Sequence, residues 1–95
     1  MAAYSIADSN VTNPAVYDQY RALVPAAIAR HGGRFLARGG EIAMLEGEWS
    51  PQRIVIIKFP SLEAAKAFYE SPEYGAARGV RAGAATIDML AVAGV

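Results

Sequence analysis

Apolar and polar residues alternate along Tyr4-Ser5-Ile6-Ala7-Asp8, the two-residue period of a short strand. Asn13-Pro14 then suits a helix start, with Asn13 as cap and Pro14 in the first turn. From there Val16, Tyr17, Tyr20, Val24, Ala27, Ile28 and His31 recur at three- and four-residue steps, which keeps them on one helical stripe until Gly32-Gly33. Pro25 lacks the N–H that a helix interior uses, so a kink near Ala22-Leu23 is expected. Residues 34–38 and 41–46 both have strand character and are taken as one long strand bent at Gly39-Gly40, with a hairpin at those glycines as the alternative. A turn over 47–52 leads into Arg53-Ile54-Val55-Ile56-Ile57-Lys58-Phe59, apolar on both faces and therefore expected at the centre of the sheet.

Pro60-Ser61 opens a second helix, with Ser61 as cap, Glu63 near the exposed amides of the first turn, and Leu62, Ala65, Phe68 and Tyr69 on the inner stripe. Ser71-Pro72-Glu73 repeats the same start signal, so this helix breaks and restarts before Gly83. A last strand is expected over 86–92. The order β-α-β-β-α-β predicts an α+β ferredoxin-like sandwich, an antiparallel sheet with helices on one face, over a single domain of residues 1–95. The other sheet face is left bare, and a second copy packing sheet to sheet would cover it, so a homodimer is expected.

Composition narrows the partners. Hydrophobic residues make up 54% of the 95 residues, but twenty are alanine, so the private core is smaller than that fraction implies and some apolar surface is available to a partner. Nine basic and nine acidic side chains give zero formal charge, which argues against a nucleic-acid partner. The absence of cysteine excludes disulfides, thiolate metal sites, iron–sulfur clusters and cysteine nucleophiles. The opening Met1-Ala2-Ala3-Tyr4 has no basic leader and no apolar run reaches the length that crosses a bilayer, so a cytoplasmic setting and no membrane partner are expected.

The ordered segments Val11-Thr12-Asn13-Pro14 with Tyr17 and Tyr20, His31-Gly32-Gly33-Arg34-Phe35-Leu36-Ala37-Arg38-Gly39-Gly40, and Leu45-Glu46-Gly47-Glu48-Trp49 carry a resemblance. So do Ile57-Lys58-Phe59-Pro60-Ser61, Phe68-Tyr69-Glu70-Ser71-Pro72-Glu73-Tyr74, and Arg81 with Ala84-Ala85-Thr86-Ile87-Asp88. Over nearly its whole length the chain resembles the domain-of-unknown-function 1330 family, small members of the dimeric alpha-beta barrel superfamily. That resemblance implies a ferredoxin-like subunit, dimerisation through the sheet, and a small pocket between sheet and helices, with no reaction to carry over. Position 68 holds Phe where the family usually has a bulky aromatic such as Trp, so a ring is kept and an indole hydrogen bond lost.

Candidate chemistry is sparse. Arg38, on one strand with Arg34 and Leu36 and expected to share their face, could meet Arg81 from the second helix pair in a two-pronged anion grip. Solvated edge charges, or pairing of Arg34 and Arg38 with Glu41, Glu46 or Asp88, is the alternative. Asp88 interrupts an apolar strand and is the candidate catalytic general base, against a solvent-end or arginine-paired aspartate. Tyr4, Tyr20, Tyr69 and Tyr74 could present hydroxyls to a ligand, or serve as core rings with satisfied hydroxyls. Trp49, beside the turn, is the candidate dimer anchor, with packing over the hairpin as its alternative.

His31, the lone histidine, fits a helix C-terminus; no second metal ligand, nucleophile elbow or phosphate loop accompanies it, so no metal or cofactor is implied. Three functions stay open: a binder of a small organic molecule, an anion among the alternatives; a cofactor-free enzyme of the monooxygenase or isomerase type; and a structural protein without ligand.

Overall fold

The computed structural model describes all 95 residues. Its elements are β1 (Ala3–Val11), α1 (Pro14–Arg30), β2 (Arg34–Arg38), β3 (Ile54–Phe59), α2 (Leu62–Glu70), α3 (Pro72–Arg81) and β4 (Ala85–Ala93). Four strands form one sheet in the order β2-β3-β1-β4. Every neighbouring pair is antiparallel, with Ser5 opposite Ile57 on one side and Ala91 on the other. The fold is ferredoxin-like, and β3 lies inside the sheet as its two-sided apolar run requires.

Local signals set the helix ends. The Asn13 side chain accepts the Val16 amide at 3.3 Å, and Ser61 Oγ accepts the Ala64 amide at 3.1 Å. Ser71 serves both helices that meet at it. Its hydroxyl donates to the Phe68 carbonyl at 2.7 Å and accepts the Tyr74 amide at 3.2 Å, so one buried side chain closes α2 and opens α3. Gly33 is needed for close approach, since a Cβ there would lie 2.7 Å from the Phe59 ring and 2.8 Å from Ile28. His31 caps α1, and its ring meets Phe68 edge-on at 6.2 Å.

Residues 41–46, expected as the far half of a bent strand, form no strand. β2 stops where its only partner runs out. Arg38 is opposite Val55, the Gly39 amide reaches the Ile54 carbonyl at 2.9 Å, and Gly39 then turns away at φ +73°, a conformation glycine takes without strain. Beyond it β3 has no residue left to pair with. The apolar residues of that arm stand in solvent, Leu45 with 95% of its surface exposed and Trp49 with 58%.

α1 runs unbroken through Pro25. Pro25 cannot donate to the Arg21 carbonyl four residues back. Arg38 Nη2 donates to that carbonyl instead, at 3.1 Å, so a β2 guanidinium fills the vacancy that proline leaves in α1.

The core lies between the helices and one sheet face, built from Tyr17, Tyr20, Val24, Ile28, Phe59, Phe68 and Tyr74 among others. Along β1 the buried positions are Ala3, Ser5, Ala7 and Ser9, while Tyr4, Ile6 and Asp8 point to the bare face. Leu90 and Val92 of β4 are exposed on that second face, 58% and 47% respectively.

Candidate functional site

Two hollows lie between the sheet and the helices. The narrower is lined by Ser9, Tyr17, Tyr20, Arg38, Arg53 and Tyr74 among others and holds about 30 Å³. That is room for a water or two. The wider holds about 320 Å³, the lower end of the range for small-molecule sites. Ser5 of β1 is in its floor, Ile87 and Met89 of β4 in its wall, and Lys66, Tyr69 and Arg81 of the helices around its rim. Phe68, Ile87 and Met89 wall both hollows. Of these two, only the wider has room for an organic molecule.

Its chemistry is apolar with a cationic rim. Lys66 and Arg81 face one acid, Glu70. The Arg81 guanidinium sits 5.4 Å from the centre of the Tyr20 ring, and its Nε is buried without a hydrogen-bond partner. An arginine held on a ring face with donors to spare suits a carboxylate. Tyr69 accepts a hydrogen bond from Arg78 Nη1 at 3.4 Å, and that guanidinium lies 4.5 Å from its ring centre. The pair fixes the Tyr69 ring at the rim.

Deeper in, hydroxyls pair with each other. Tyr20 and Tyr74 share a buried hydrogen bond of 2.8 Å. Burial, then the neighbouring Tyr74, raises the Tyr20 phenol far above its ordinary range, so it stays protonated at any working pH. Tyr17 donates to Ser9 Oγ at 3.3 Å and accepts from Arg53 Nη1 at 3.4 Å.

The seven residues expected to bind or act are thus divided among three places. Tyr20, Tyr74 and Arg38 line the narrow hollow; Arg81 and Tyr69 line the wide one. Arg38 and Arg81 do not share a hollow: Arg38, on edge strand β2, lines the narrow one, and Arg81, at the end of α3, lines the wide one. Nor does Arg38 share a face with Arg34. A bulge between Phe35 and Ala37 shifts the register, so Arg34 stands opposite Lys58 on the bare face while Arg38 stands opposite Val55 on the helix side. Its guanidinium lies 4.4 Å from the Phe35 ring centre.

Tyr4 and Asp88 belong to the bare face. Tyr4 is between Lys58 and Val92, and Asp88 is directly opposite Asp8. With Ile6, Trp49 and Leu90 the two aspartates border an open hollow of about 350 Å³ on that face. Proton handling by Asp88 would therefore occur there and not in the sheet–helix cavity. Asp8 accepts the Gln52 amide at 2.9 Å, the Arg53 amide at 3.3 Å and Trp49 Nε1 at 3.3 Å. These donors, the Gln52 amide foremost, outweigh desolvation and hold the Asp8 carboxyl below the usual aspartate range. Trp49 is thereby pinned over the bare face.

Residues that sequence reasoning passed over are Ser5, Ser9, Arg53, Lys66, Ile87 and Met89. One signal was available. An interior strand with Ala3, Ser5, Ala7 and Ser9 on its inward side has side chains too small to fill a core, and unfilled core is space for something else.

The fold and this cavity define a small ferredoxin-like subunit. The chain matches the family described as domain of unknown function, DUF1330, over residues 2–95, and it belongs to that family. No curated protein matches it in sequence. Among solved structures it is similar to RPA0582, a protein of unknown function from Rhodopseudomonas palustris, with TM-score 0.77 and 18% identity over 99% of this chain and 82% of that one. It is also similar to SnoaB, a cofactor-independent oxygenase from Streptomyces nogalater, with TM-score 0.65 and 14% identity over 99% and 93%. A third is a dimeric protein of unknown function and ferredoxin-like fold from Bacteroides fragilis, with TM-score 0.65 and 14% identity over 98% and 96%. Likeness at such identities speaks to the fold. No helix is long and apolar enough to cross a membrane.

Proposed function

We propose that the protein binds a small organic anion in the wide cavity between β4 and the α2–α3 pair, and that it does so as a homodimer joined through the bare sheet face. The observation that carries the reading is the cavity itself: about 320 Å³, apolar inside, with Lys66 and Arg81 on its rim. Self-association is supported by the exposed Leu90, Val92 and Trp49 on or over one sheet face, and by the dimeric state of the Bacteroides fragilis protein.

A thermal-shift panel of benzoate, salicylate and short aliphatic acids tests the site. Melting temperature rises for the wild type and for Arg38→Ala, and the rise is lost in Arg81→Ala and reduced in Arg81→Lys. An unchanged rise in Arg81→Ala contradicts the assignment.

A second reading, a cofactor-free enzyme, draws support from the likeness to SnoaB and from the hydrogen-bonded Tyr20–Tyr74 pair beneath Phe68. Under it the bound molecule is turned over, and the Tyr20 hydroxyl donates a hydrogen bond to developing negative charge. Turnover of a hydroxylated aromatic, abolished in Tyr20→Phe with binding retained, would establish it. Binding without turnover leaves the first reading in place, and neither one points to a protein without ligand.

A further inference from the structure

We propose that the two hollows are the ends of one trough along β1, and that the trough seats an elongated organic anion, its charged end at Arg81 and Lys66 and its apolar body beneath Phe68. The inference rests on the anion-binding reading above and specifies its ligand.

The buried positions on the inward side of β1 hold small residues only. β3 beside it carries Val55, Ile57 and Phe59 toward the helices, as an interior strand should. β1, equally interior, carries Ala3, Ser5, Ala7 and Ser9. The sheet floor is therefore low along this one strand, and the helices spanning it leave volume that no side chain fills. Ser5 borders the wide cavity, Ala7 and Ser9 the narrow one. From Ser5 to Ser9 is four residues, about 13 Å of extended chain.

The partition between the hollows is side chain, not backbone. Phe68 hangs from α2 above, and Ile87 and Met89 stand on β4 beside the trough; each touches both spaces. Methionine adapts its shape readily, and rotation of these groups joins the two volumes without moving an element.

Two polar groups at the wide end lack partners. Ser5 is 4% exposed and lines the cavity, and none of the side-chain hydrogen bonds in the subunit includes its hydroxyl. The Arg81 guanidinium makes no side-chain hydrogen bond or ion pair within the subunit. Both residues line the cavity without a protein partner for these side chains, so the Ser5 hydroxyl and the guanidinium of Arg81 are available to a ligand. Charge points the same way. Around the two hollows stand Lys66 and Arg81 at one end and Arg21, Arg38 and Arg53 at the other, and Glu70 is the sole acid in either lining. An anion with an apolar body fits this, and a cation does not.

Titration calorimetry of the full chain with butanoate, hexanoate, octanoate and decanoate tests the trough. In the wild type, affinity rises about fourfold per added methylene as the chain advances over Ala7. Ala7→Leu fills the floor between the hollows: butanoate binds it as it binds the wild type, and decanoate binds no tighter than hexanoate. Ala7→Val gives the same pattern in weaker form and guards against a Leu variant that does not fold. Equal affinity from butanoate to decanoate in the wild type overturns the trough and leaves the wide-cavity reading standing. So does an undiminished chain-length gain in a folded Ala7→Leu or Ala7→Val protein. Absence of binding by all four acids overturns both.

Discussion

The Tyr20–Tyr74 hydrogen bond should be expensive to break on one side and cheap to remove altogether. Tyr74 is fully buried and Tyr20 is 6% exposed, and each hydroxyl has the other as its only hydrogen-bond partner, at 2.8 Å. Tyr74→Phe keeps the ring, which stacks on Phe68 at 4.5 Å, and strands the Tyr20 hydroxyl in an apolar setting. An unsatisfied buried hydroxyl costs about 1–3 kcal/mol. For a domain near this size each kcal/mol is worth about 4–8 °C in melting temperature. Tyr20→Phe strands the other hydroxyl at a similar cost. Tyr20→Phe/Tyr74→Phe leaves no orphan, so it should lie no further from wild type than either single variant. Urea unfolding followed by circular dichroism measures this, at one fixed protein concentration because self-association shifts the midpoint. If the double variant loses the sum of the two singles to within about 0.5 kcal/mol, the hydroxyls are independent and the paired arrangement is wrong.

Three further outcomes are expected. Arg38→Ala should cost about 1 kcal/mol in the wild type through loss of the bond to the Arg21 carbonyl, and distinctly less in a Pro25→Ala background, where the helix supplies that bond itself; equal costs in a double-mutant cycle of urea midpoints contradict the bridging role. The Asp8 carboxyl is depressed, so its hold on the 49–53 segment is fully present above the unfolded aspartate value of about 4 and is lost as pH falls through its lower folded value. Fluorescence of Trp49, the single tryptophan, should therefore be flat from neutral pH to about 4 and change only below it, whereas Asp8→Asn should show no such step; a transition centred above pH 5 contradicts this. Leu90→Lys, on the bare face, should shift light scattering from dimer to monomer while far-UV circular dichroism is retained, and an unshifted mass contradicts dimerisation through that face.

Much of the fold was legible because its signals are local. Asn13, Ser61 and Ser71 cap the helices that their neighbours predict, and the Ser71-Pro72 restart divides α2 from α3. Strands were harder, since a strand is completed by its neighbour. Residues 41–46 have the composition of a strand, but β3 does not extend beside them and they pair with no other strand. Site geometry was harder again. The bulge that turns Arg38 to the helix side leaves no mark in a five-residue strand. Asp88 and Tyr4 fell on the bare face by strand parity alone. β4 is apolar at both Ile87-Met89 and Leu90-Val92, so its sequence did not say which side faces the helices. Ser5 and Ser9 were visible as small residues on an alternating strand, and only the interior position of β1 turns smallness into a cavity.

Anion binding under α2 and α3 is tested most directly by amide chemical shifts of isotope-labelled protein titrated with hexanoate. Saturable shifts should concentrate at Ser5, Lys66, Tyr69, Arg81 and Ile87, around the wide cavity, and disappear in Arg81→Ala. Shifts confined to Tyr4, Ile6 and Asp88 on the opposite sheet face, or none at millimolar ligand, would contradict it.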